Sequence, residues 1–163
     1  IEFSTGSLGM GLGLGVGVSI ALKKKNLDNN VYVLLGDGEC NEGSIWESAN
    51  SASYFKLDNM TAILDHNKYQ QTGSNEEIMN MNKLSEKWKS FNWNVIEVDG
   101  HDILQLTNAF DKKFSNNNPK IIIANTIKGK GFSFSENNND WHHKVLTKKT
   151  YDEAIIELKK NNI

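Results

Sequence analysis

Cysteine and proline are almost absent from this sequence of 163 residues, and neither sign of charge dominates it. The single cysteine, Cys40, excludes an internal disulfide, and we interpret it as a small, half-buried residue rather than a nucleophile. The single proline, Pro119, is expected between two secondary-structure elements. The formal net charge of −2 gives no electrostatic basis for binding nucleic acid.

A hydrophobic segment suited to crossing a membrane is also missing. The best candidate, residues 8–22, is too short to span a bilayer comfortably, and its alternating glycines favour close helix packing over contact with lipid. Three lysines follow this segment at 23–25, the position at which cations stabilise the carboxyl end of a helix. No basic segment with a following cleavage site is visible, so we expect a cytoplasmic protein without a membrane partner.

Apolar runs and amphipathic segments alternate along the chain. The predicted strands are residues 31–35, 60–65, 93–98 and 120–124. The predicted helices are a glycine-rich helix within 8–22, helices near 43–56 and 76–90, a helix after Asp102 and a short final helix. This alternation is typical of parallel strands joined by helices, so we expect a three-layer α/β/α fold with a mainly parallel sheet. The length suits a single domain over residues 1–163.

Three of the predicted helices carry specific signals. Asp102 is expected to be an N-cap, and Thr150 with Glu153 is expected to form a capping box. The apolar face predicted for the helix at 76–90 consists of Ile78, Met81, Leu84 and Trp88. The apolar stripe predicted after Asp102 consists of Ile103, Leu106, Phe110 and Phe114.

Polar residues stand at the ends of two consecutive predicted strands. One strand ends in the tripeptide Gly36-Asp37-Gly38, and the next ends shortly before Asn67. The carboxyl ends of parallel strands form the ligand crevice of an open α/β sheet. We therefore expect Asp37 and Asn67 to lie close together.

These residue types suit a metal and diphosphate site. Mg²⁺ takes hard oxygen ligands and usually keeps water or phosphate oxygens. Asp37 offers a carboxylate, Asn67 an amide oxygen and Tyr69 a main-chain carbonyl. Gly36 and Gly38 keep side chains away, so that backbone N–H groups can approach a phosphate. A Gly-Asp-Gly tripeptide alone is equally consistent with an ordinary turn.

Five longer segments are informative when they are read together. They are Thr5-Gly-Ser-Leu-Gly-Met-Gly11, Gly36-Asp-Gly-Glu-Cys-Asn-Glu-Gly-Ser-Ile-Trp-Glu47, Asp65-His-Asn-Lys-Tyr-Gln70, Thr126-Ile-Lys-Gly-Lys-Gly131 and Glu136-Asn-Asn-Asn-Asp-Trp-His142. In this order, and across almost the whole chain, they closely resemble the transketolase family. The chain is similar to its thiamine-diphosphate half, particularly to the N-terminal subunit of transketolases made from two polypeptides.

The resemblance implies thiamine diphosphate as the cofactor and Mg²⁺ or Ca²⁺ as its ion. The implied ion ligands are Asp37, Asn67 and the Tyr69 carbonyl. The implied cofactor-binding residues are Gly6, Ser7, Leu8, Gly36, Asp37, Gly38, Glu39, Asn67 and Lys128. The turn at 6–8 matches the backbone beside the aminopyrimidine ring, and Gly38 matches a residue whose backbone meets the diphosphate. Lys128 has the alternative interpretation of a solvated loop lysine.

Catalytic roles are implied for Glu42, Glu47 and His142. The two glutamates match a carboxylate network at the family's subunit interface, in which close carboxylates share protons. Their alternative is an exposed acidic helix start. His142 matches a histidine that faces the donor and acceptor sugars and moves protons, whereas its alternative is a surface histidine.

Three other histidines receive no catalytic role. His143 stands where the family commonly has glycine, a departure that bears on the pose of the loop. His66 and His101 are interpreted as structural residues, the first in a strand-end turn and the second before a helix cap.

The implied activity is transfer of a two-carbon ketol unit between sugar phosphates. It requires a partner, the pyrimidine-binding C-terminal subunit, together with self-association into a heterotetramer. No segment here resembles that partner, and a family segment upstream of Ile1 is expected to be missing. The alternatives are another thiamine enzyme, such as a deoxyxylulose-phosphate synthase or a keto-acid dehydrogenase component, and a cofactor-binding or assembly subunit without turnover.

Overall fold

A four-stranded parallel sheet with helices on both faces forms the centre of the structure, a computed structural model that describes residues 1–160. The described residues form the helices α1 (Met10–Lys24), α2 (Gly43–Tyr54), α3 (Asn75–Ile78), α4 (Leu84–Ser90), α5 (Ile103–Asp111) and α6 (Lys148–Lys160). They form the strands β1 (Val31–Gly36), β2 (Met60–His66), β3 (Tyr69–Gln70), β4 (Gly73–Ser74), β5 (Asn94–Asp99) and β6 (Lys120–Asn125). The predicted α/β/α fold is confirmed.

The strand register brings the strand ends to one edge of the sheet. The order is β1-β2-β6-β5, and each neighbouring pair is parallel. Gly36 pairs with Asp65, and Asp65 pairs with Ala124. The loops after β1, β2 and β6 therefore open side by side at the carboxyl edge.

Two hydrophobic layers hold the sheet between its helices. The larger layer joins α1, α2 and α4 to the sheet, and its buried residues include Leu12, Val33, Leu35, Ile45, Ala49, Leu64, Trp88, Trp93, Ile121 and Ile123. The smaller layer lies under α5 and consists of Val98, Ala109, Ile122 and Ala124. Because β6 contributes to both layers, it is apolar from Ile121 to Ala124, as is typical of a strand covered on two faces.

The glycines of α1 allow this helix to approach the sheet closely. A Cβ atom at Gly15 would stand 2.6 Å from Cγ2 of Val33, so no larger residue fits there without movement. The predicted close packing is confirmed. No helix formed by residues 1–160 is both long enough and apolar enough to cross a membrane.

The single helix predicted for residues 76–90 is wrong. α3 ends at Ile78, α4 begins at Leu84, and Lys83 before it has a φ of +60°. The intervening segment alternates methionine with asparagine, and asparagine side chains compete with helical backbone hydrogen bonds. Leu84 and Trp88 are buried as predicted, but Ile78 is 49% exposed.

Asp102 caps α5 as predicted, since its Oδ1 accepts a hydrogen bond of 3.1 Å from the N–H of Gln105. The predicted apolar stripe is only partly present. The helix ends at Asp111, before Phe114, and Ile103 in its first turn is 74% exposed. The helix buries only a small part of its surface: Ala109 is its only buried residue, and it packs mainly on β5 and β6.

The side chain of Lys120, at the start of β6, caps the carboxyl end of α5. Its Nζ donates hydrogen bonds to the carbonyl oxygens of Ala109, Phe110 and Lys112 at 3.0, 2.7 and 3.3 Å. These are carbonyls that a helix end leaves without a partner. Burial lowers the pKa of Lys120, and Lys113 acts in the same direction. Strand β6 therefore begins with a buried lysine that caps the preceding helix.

The capping box predicted at Thr150 and Glu153 is wrong, because α6 begins earlier, at Lys148. Thr147 precedes the helix, and its Oγ1 accepts a bond of 3.2 Å from the N–H of Thr150. In return, the N–H of Thr147 donates to Oγ1 of Thr150 at 2.8 Å. A reciprocal pair of capping hydrogen bonds is therefore present, but it joins Thr147 to Thr150 instead of Thr150 to Glu153.

Cys40 is completely buried rather than half-buried, which agrees with its interpretation as a residue other than a nucleophile. Burial raises the pKa of its thiol to about 12, and the charges of Asp37 and Glu39 act in the same direction. Since the thiolate is the reactive species, the native thiol should be inert.

We expect iodoacetamide at pH 8 to alkylate Cys40 in the native protein at least about a hundredfold more slowly than in urea-unfolded protein. Mass spectrometry after timed quenching measures both rates. Native and unfolded rates within about threefold of each other would contradict the burial of this thiol.

Candidate functional site

Asp37 and Asn67 are brought together at the carboxyl edge of the sheet, as predicted. Asp37 directly follows β1 and caps the short 3-10 helix Gly38–Asn41. Its main-chain N–H donates to the carbonyl oxygen of Asp65 at 3.2 Å, which continues the pairing of β1 with β2. Its Oδ2 accepts a bond of 2.5 Å from the N–H of Lys68, the residue after Asn67.

The Asp37 carboxylate is buried and only partly compensated. The residue is 1% exposed. Burial raises the pKa of Asp37, while hydrogen bonds from the Asn75 side chain and the N–H groups of Lys68 and Gly38 lower it, as does His66. Burial is the largest of these effects, so a cation at this carboxylate would relieve an unfavourable desolvation of charge.

Asn67 is oriented by neighbours on both of its amide atoms. Its Oδ1 accepts a bond of 2.9 Å from the N–H of Tyr69, and its Nδ2 donates to Oδ2 of Asp65 at 3.0 Å. Asp65 is held in turn by the hydroxyl of Thr126, the residue after β6, which donates a hydrogen bond to its carboxylate. The amide oxygen is therefore fixed in the turn whose next residue, Lys68, donates to Asp37, and it retains acceptor capacity for an ion.

Among residues 1–160, no group of three His, Cys, Asp or Glu side chains is placed to hold a metal. A cation at Asp37 would depend on one carboxylate and on neutral oxygens such as those of Asn67 and the Tyr69 carbonyl. It would need further oxygens from a bound ligand or water. Such a set suits Mg²⁺ or Ca²⁺, which prefer oxygen, rather than a metal that prefers nitrogen or sulfur.

The two glycines beside Asp37 allow a close approach of the chain, but their N–H groups already donate hydrogen bonds. A Cβ at Gly38 would stand 2.6 Å from Cβ of Gln70, so only glycine allows this approach. The N–H of Gly38 donates to Oδ1 of Asp37 at 2.7 Å, and that of Gly36 donates to Oε2 of Glu39 at 3.1 Å. A phosphate bound by these amides would have to replace those bonds.

Glu39 joins the start of α1 to the end of β1. Besides Gly36, its carboxylate accepts a bond of 2.8 Å through Oε1 from the N–H of Gly9. Gly9 has a φ of +79°, which favours glycine, and directly follows the exposed turn at residues 6–8. The contact of Glu39 places that turn, with Gly6, Ser7 and Leu8, near the Asp37 segment.

Glu42 and Glu47 lie on the surface. Glu42 precedes α2, Glu47 lies in its second turn, and both are exposed. Within residues 1–160 neither side chain forms an ion pair or hydrogen bond. A Cβ at Gly9 would stand 2.8 Å from Cβ of Glu42, so this glutamate borders the turn at 6–8. The predicted carboxylate network is therefore not formed by this chain alone.

A cleft of about 680 Å³ opens at the carboxyl ends of β2 and β6. It is lined by His66, Asn67, Lys68, Tyr69, Ser74, Asn75, Glu76, Asn80, Met81, Asn82, Lys83, Leu84, Thr126, Ile127 and Asn137. Asp37 is not in this lining. Lys68, whose N–H donates to its carboxylate, and Asn75, whose side chain lowers its pKa, are. The proposed ion ligands therefore lie at the wall of the cleft.

Lys128 and His142 meet in a loop after β6. Lys128 Nζ lies 3.2 Å from Nδ1 of His142, so Nδ1 acts as the acceptor and the neutral ring carries its proton on Nε2. Burial lowers the pKa of His142, and the charges of Lys128 and His143 act in the same direction. The rings of His142 and His143 are in edge contact, with centroids 4.8 Å apart.

His66 and His101 make structural contacts, as predicted. Nδ1 of His66 lies 2.9 Å from Oδ1 of Asn125, and Nε2 of His101 accepts a bond of 2.8 Å from the N–H of Ile127. His66 also lines the cleft, which its position in the sequence did not indicate.

Three residues of the site were not predicted: Asp65, Asn75 and Thr126. Asp65 holds the amide of Asn67 and could have been found, because it stands two residues earlier at the same strand end. Asn75 and Thr126 come from α3 and from the residue after β6. No local signal marks them, since only the fold brings them to Asp37 and Asp65.

Residues 1–161 match the family described as "Transketolase, thiamine diphosphate binding domain". The chain is 41% identical over 159 residues to one of the subunits of the apulose-4-phosphate transketolase of Phocaeicola vulgatus, a match that covers 97% of this chain and 57% of that protein. It is 40% identical over 161 residues to a 6-deoxy-6-sulfo-D-fructose transketolase subunit of a Clostridium species, covering 98% of this chain and 58% of that protein. The chain thus spans somewhat more than half the length of these relatives.

The fold is similar to that of a solved transketolase from Campylobacter jejuni. The TM-score is 0.89 at 29% sequence identity, and the match covers 96% of this chain and 26% of that protein.

Asp37 is the only charged residue among the proposed ion ligands. Its replacement by Ala should lower the affinity of the protein for thiamine diphosphate in the presence of Mg²⁺ by more than about tenfold, which corresponds to about 1.4 kcal/mol. Isothermal titration calorimetry measures the affinity. Asp58→Ala, which removes an exposed carboxylate paired with Lys23, is the matched control. An unchanged affinity in a folded Asp37→Ala protein would contradict the ion site.

Proposed function

The chain belongs to the family of transketolase thiamine diphosphate-binding domains, and from this premise we propose that it is the cofactor-binding subunit of a transketolase made from two kinds of polypeptide. The proposed reaction transfers a two-carbon ketol unit from a ketose to an aldose, with thiamine diphosphate and Mg²⁺. The proposed partner is a pyrimidine-binding subunit, and two such pairs would associate into a heterotetramer. A cytoplasmic location remains a prediction.

The observation that supports this proposal most is the position of two predicted groups on one edge of the sheet. The ion ligands follow β1 and β2, while Lys128 and His142 lie in the loop after β6. Nδ2 of Asn139 in this loop donates to the carbonyl oxygen of Gln71 at 3.1 Å, which docks the loop on the β3–β4 hairpin. A cofactor anchored at Asp37 would thus lie close to the loop that carries His142.

The residues near Asp37 fit a metal diphosphate on two counts. The buried Asp37 carboxylate has a raised pKa because of desolvation, so it gains from a cation. Gly38 carries no side chain beside the carboxylate, and a phosphate could take its N–H, which now donates to Oδ1 of Asp37 at 2.7 Å. Asn67 and the Tyr69 carbonyl would complete the protein's share of ligands.

Thiamine diphosphate, when bound, supplies the carbanion stabilisation that ketol transfer requires, while the protein supplies orientation and proton control. His142 suits the second task. Its lowered pKa keeps the imidazole neutral near pH 7, and the contact of Nδ1 with Lys128 leaves the Nε2 proton available for a sugar hydroxyl. Lys128 holds the ring in this orientation.

The exposed residues support the need for a partner. The turn at 6–8, Glu42 and Glu47 are all exposed in this chain, and Glu42 borders that turn at Gly9. In the proposed assembly this surface meets the partner, where Glu42 and Glu47 join a carboxylate network. The two relatives named above are subunits for different sugars, one a phosphate and one a sulfo sugar, so we propose an anionic sugar as the substrate.

The decisive experiment mixes the full-length protein with the candidate partner polypeptide, thiamine diphosphate and Mg²⁺, and measures ketol transfer from a ketose phosphate to an aldose phosphate. Activity should require both polypeptides. Tight cofactor binding by the complex without transfer to any sugar phosphate or sulfo sugar would favour a non-catalytic assembly subunit instead.

His142 is expected to act on the sugar rather than on the cofactor. His142→Ala should lower kcat/KM for ketol transfer by roughly ten- to a thousandfold, within the range of a proton-transferring or charge-stabilising group. The affinity for thiamine diphosphate should be unchanged. Steady-state kinetics and calorimetry test the two parts separately, and normal turnover would show that His142 has no catalytic role.

Glu47 is expected to act through assembly. Glu47→Ala should weaken association with the partner or activation by the cofactor, while leaving the isolated domain folded, because the side chain is exposed and unpaired within residues 1–160. Analytical ultracentrifugation measures association, and Glu153→Ala on α6 serves as a surface control. Identical assembly and activity would favour a merely exposed helix start.

A further inference from the structure

The hydroxyl of Tyr69 connects the proposed ion site to the loop that carries Lys128 and His142, and we propose that it is a positioning residue for that loop. Its Oη donates a hydrogen bond of 3.0 Å to the carbonyl oxygen of Asn137. This inference rests on the proposed function, because it assigns a role to the side chain of a residue whose main chain belongs to the same site.

The main chain of Tyr69 is fixed on the side of the ion site. Its N–H donates to Oδ1 of Asn67 at 2.9 Å, and Tyr69 pairs with Ser74 in the β3–β4 hairpin. Its carbonyl is a proposed ion ligand. One residue therefore has its backbone at the ion site and its phenol hydroxyl on the substrate loop, so the position of the loop depends on the position of the ion site.

Asn137 links the hydroxyl of Tyr69 to Lys128. The N–H of Asn137 donates to the carbonyl oxygen of Lys128 at 2.9 Å, which closes the loop between them. Asn137 has a φ of +52°, a left-handed conformation in which asparagine is enriched among non-glycine residues. Since Lys128 contacts Nδ1 of His142 at 3.2 Å, the hydroxyl of Tyr69 supports the base of the loop that orients His142.

A second contact supports the other side of the loop. Nδ2 of Asn139 donates to the carbonyl oxygen of Gln71 at 3.1 Å, two residues after Tyr69. Asn139 begins the 3-10 turn Asn139–His142, which ends at His142. The hairpin thus holds the loop at residues 137 and 139, and only the first of these contacts depends on a side chain of the hairpin.

The test is Tyr69→Phe, which removes the hydroxyl but keeps the ring and the main-chain carbonyl. The matched control is Tyr151→Phe on α6, because the Tyr151 hydroxyl makes no hydrogen bond within residues 1–160 and its ring contact with Lys148 survives in phenylalanine. Hydrogen exchange is measured on the full-length protein assembled with its partner, with and without thiamine diphosphate and Mg²⁺.

We expect exchange of residues 128–143 to be roughly two- to tenfold faster in Tyr69→Phe than in the wild type or the control, the range for loss of one hydrogen bond. Protection of residues 36–38 and 67 by thiamine diphosphate and Mg²⁺ should be retained. The KM for the sugar should rise by a similar factor, while the affinity for thiamine diphosphate stays within about twofold.

A spectroscopic signature separates positioning of His142 from a general loss of stability. In Tyr69→Phe the ring of His142 should become more exposed and move away from Lys128, so its pKa, measured by NMR on the ring protons, should rise towards the ordinary value. The pKa of His142 should not change in Tyr151→Phe.

Three results would overturn the inference. The first is that residues 128–143 exchange at an unchanged rate in Tyr69→Phe while the cofactor still protects residues 36–38. This result would leave the proposed function intact. The second is an unchanged His142 pKa together with an unchanged KM. The third is the absence of cofactor protection in the wild type at residues 36–38 and 67, which would overturn the proposed function as well.

Discussion

The burial of one carboxylate, that of Asp37, is the constraint on which the carboxyl edge of the sheet depends. A buried carboxylate is costly unless hydrogen bonds or a cation compensate its charge. Here the N–H groups of Gly38 and Lys68 and the side chain of Asn75 supply part of that compensation. These donors come from the segment after β1, the turn after β2 and α3, so a single charge organises three parts of the chain.

One part of the site is held together by contacts within this chain, whereas the other part is exposed on its surface. Asp37, Asn67 and Tyr69 are linked by hydrogen bonds through the turn after β2, and Lys128 and His142 contact each other. In contrast, the turn at 6–8 and the side chains of Glu42 and Glu47 are exposed. A protein that holds a cofactor against a partner would have this organisation, because the interface residues find their contacts only after assembly.

Much of the fold could be predicted from local pattern. The apolar runs marked the four long strands, and Asp102 marked the start of α5. Predictions failed where a distant residue or a competing local bond decided the outcome. Periodicity alone could not show the break between α3 and α4, and the end of α5 depends on Lys120, which lies on a strand nine residues beyond Asp111.

By itself, the sequence determined the α/β alternation and the strand-end positions of Asp37 and Asn67, because hydrophobic period and strand ends are local properties. It also carried the family resemblance. Only the tertiary structure decided that Asn75 compensates Asp37, that Asp65 and Thr126 orient Asn67, and that the hydroxyl of Tyr69 holds the loop of His142. These contacts join residues from different elements, so they follow from strand order and loop docking, which no local pattern contains.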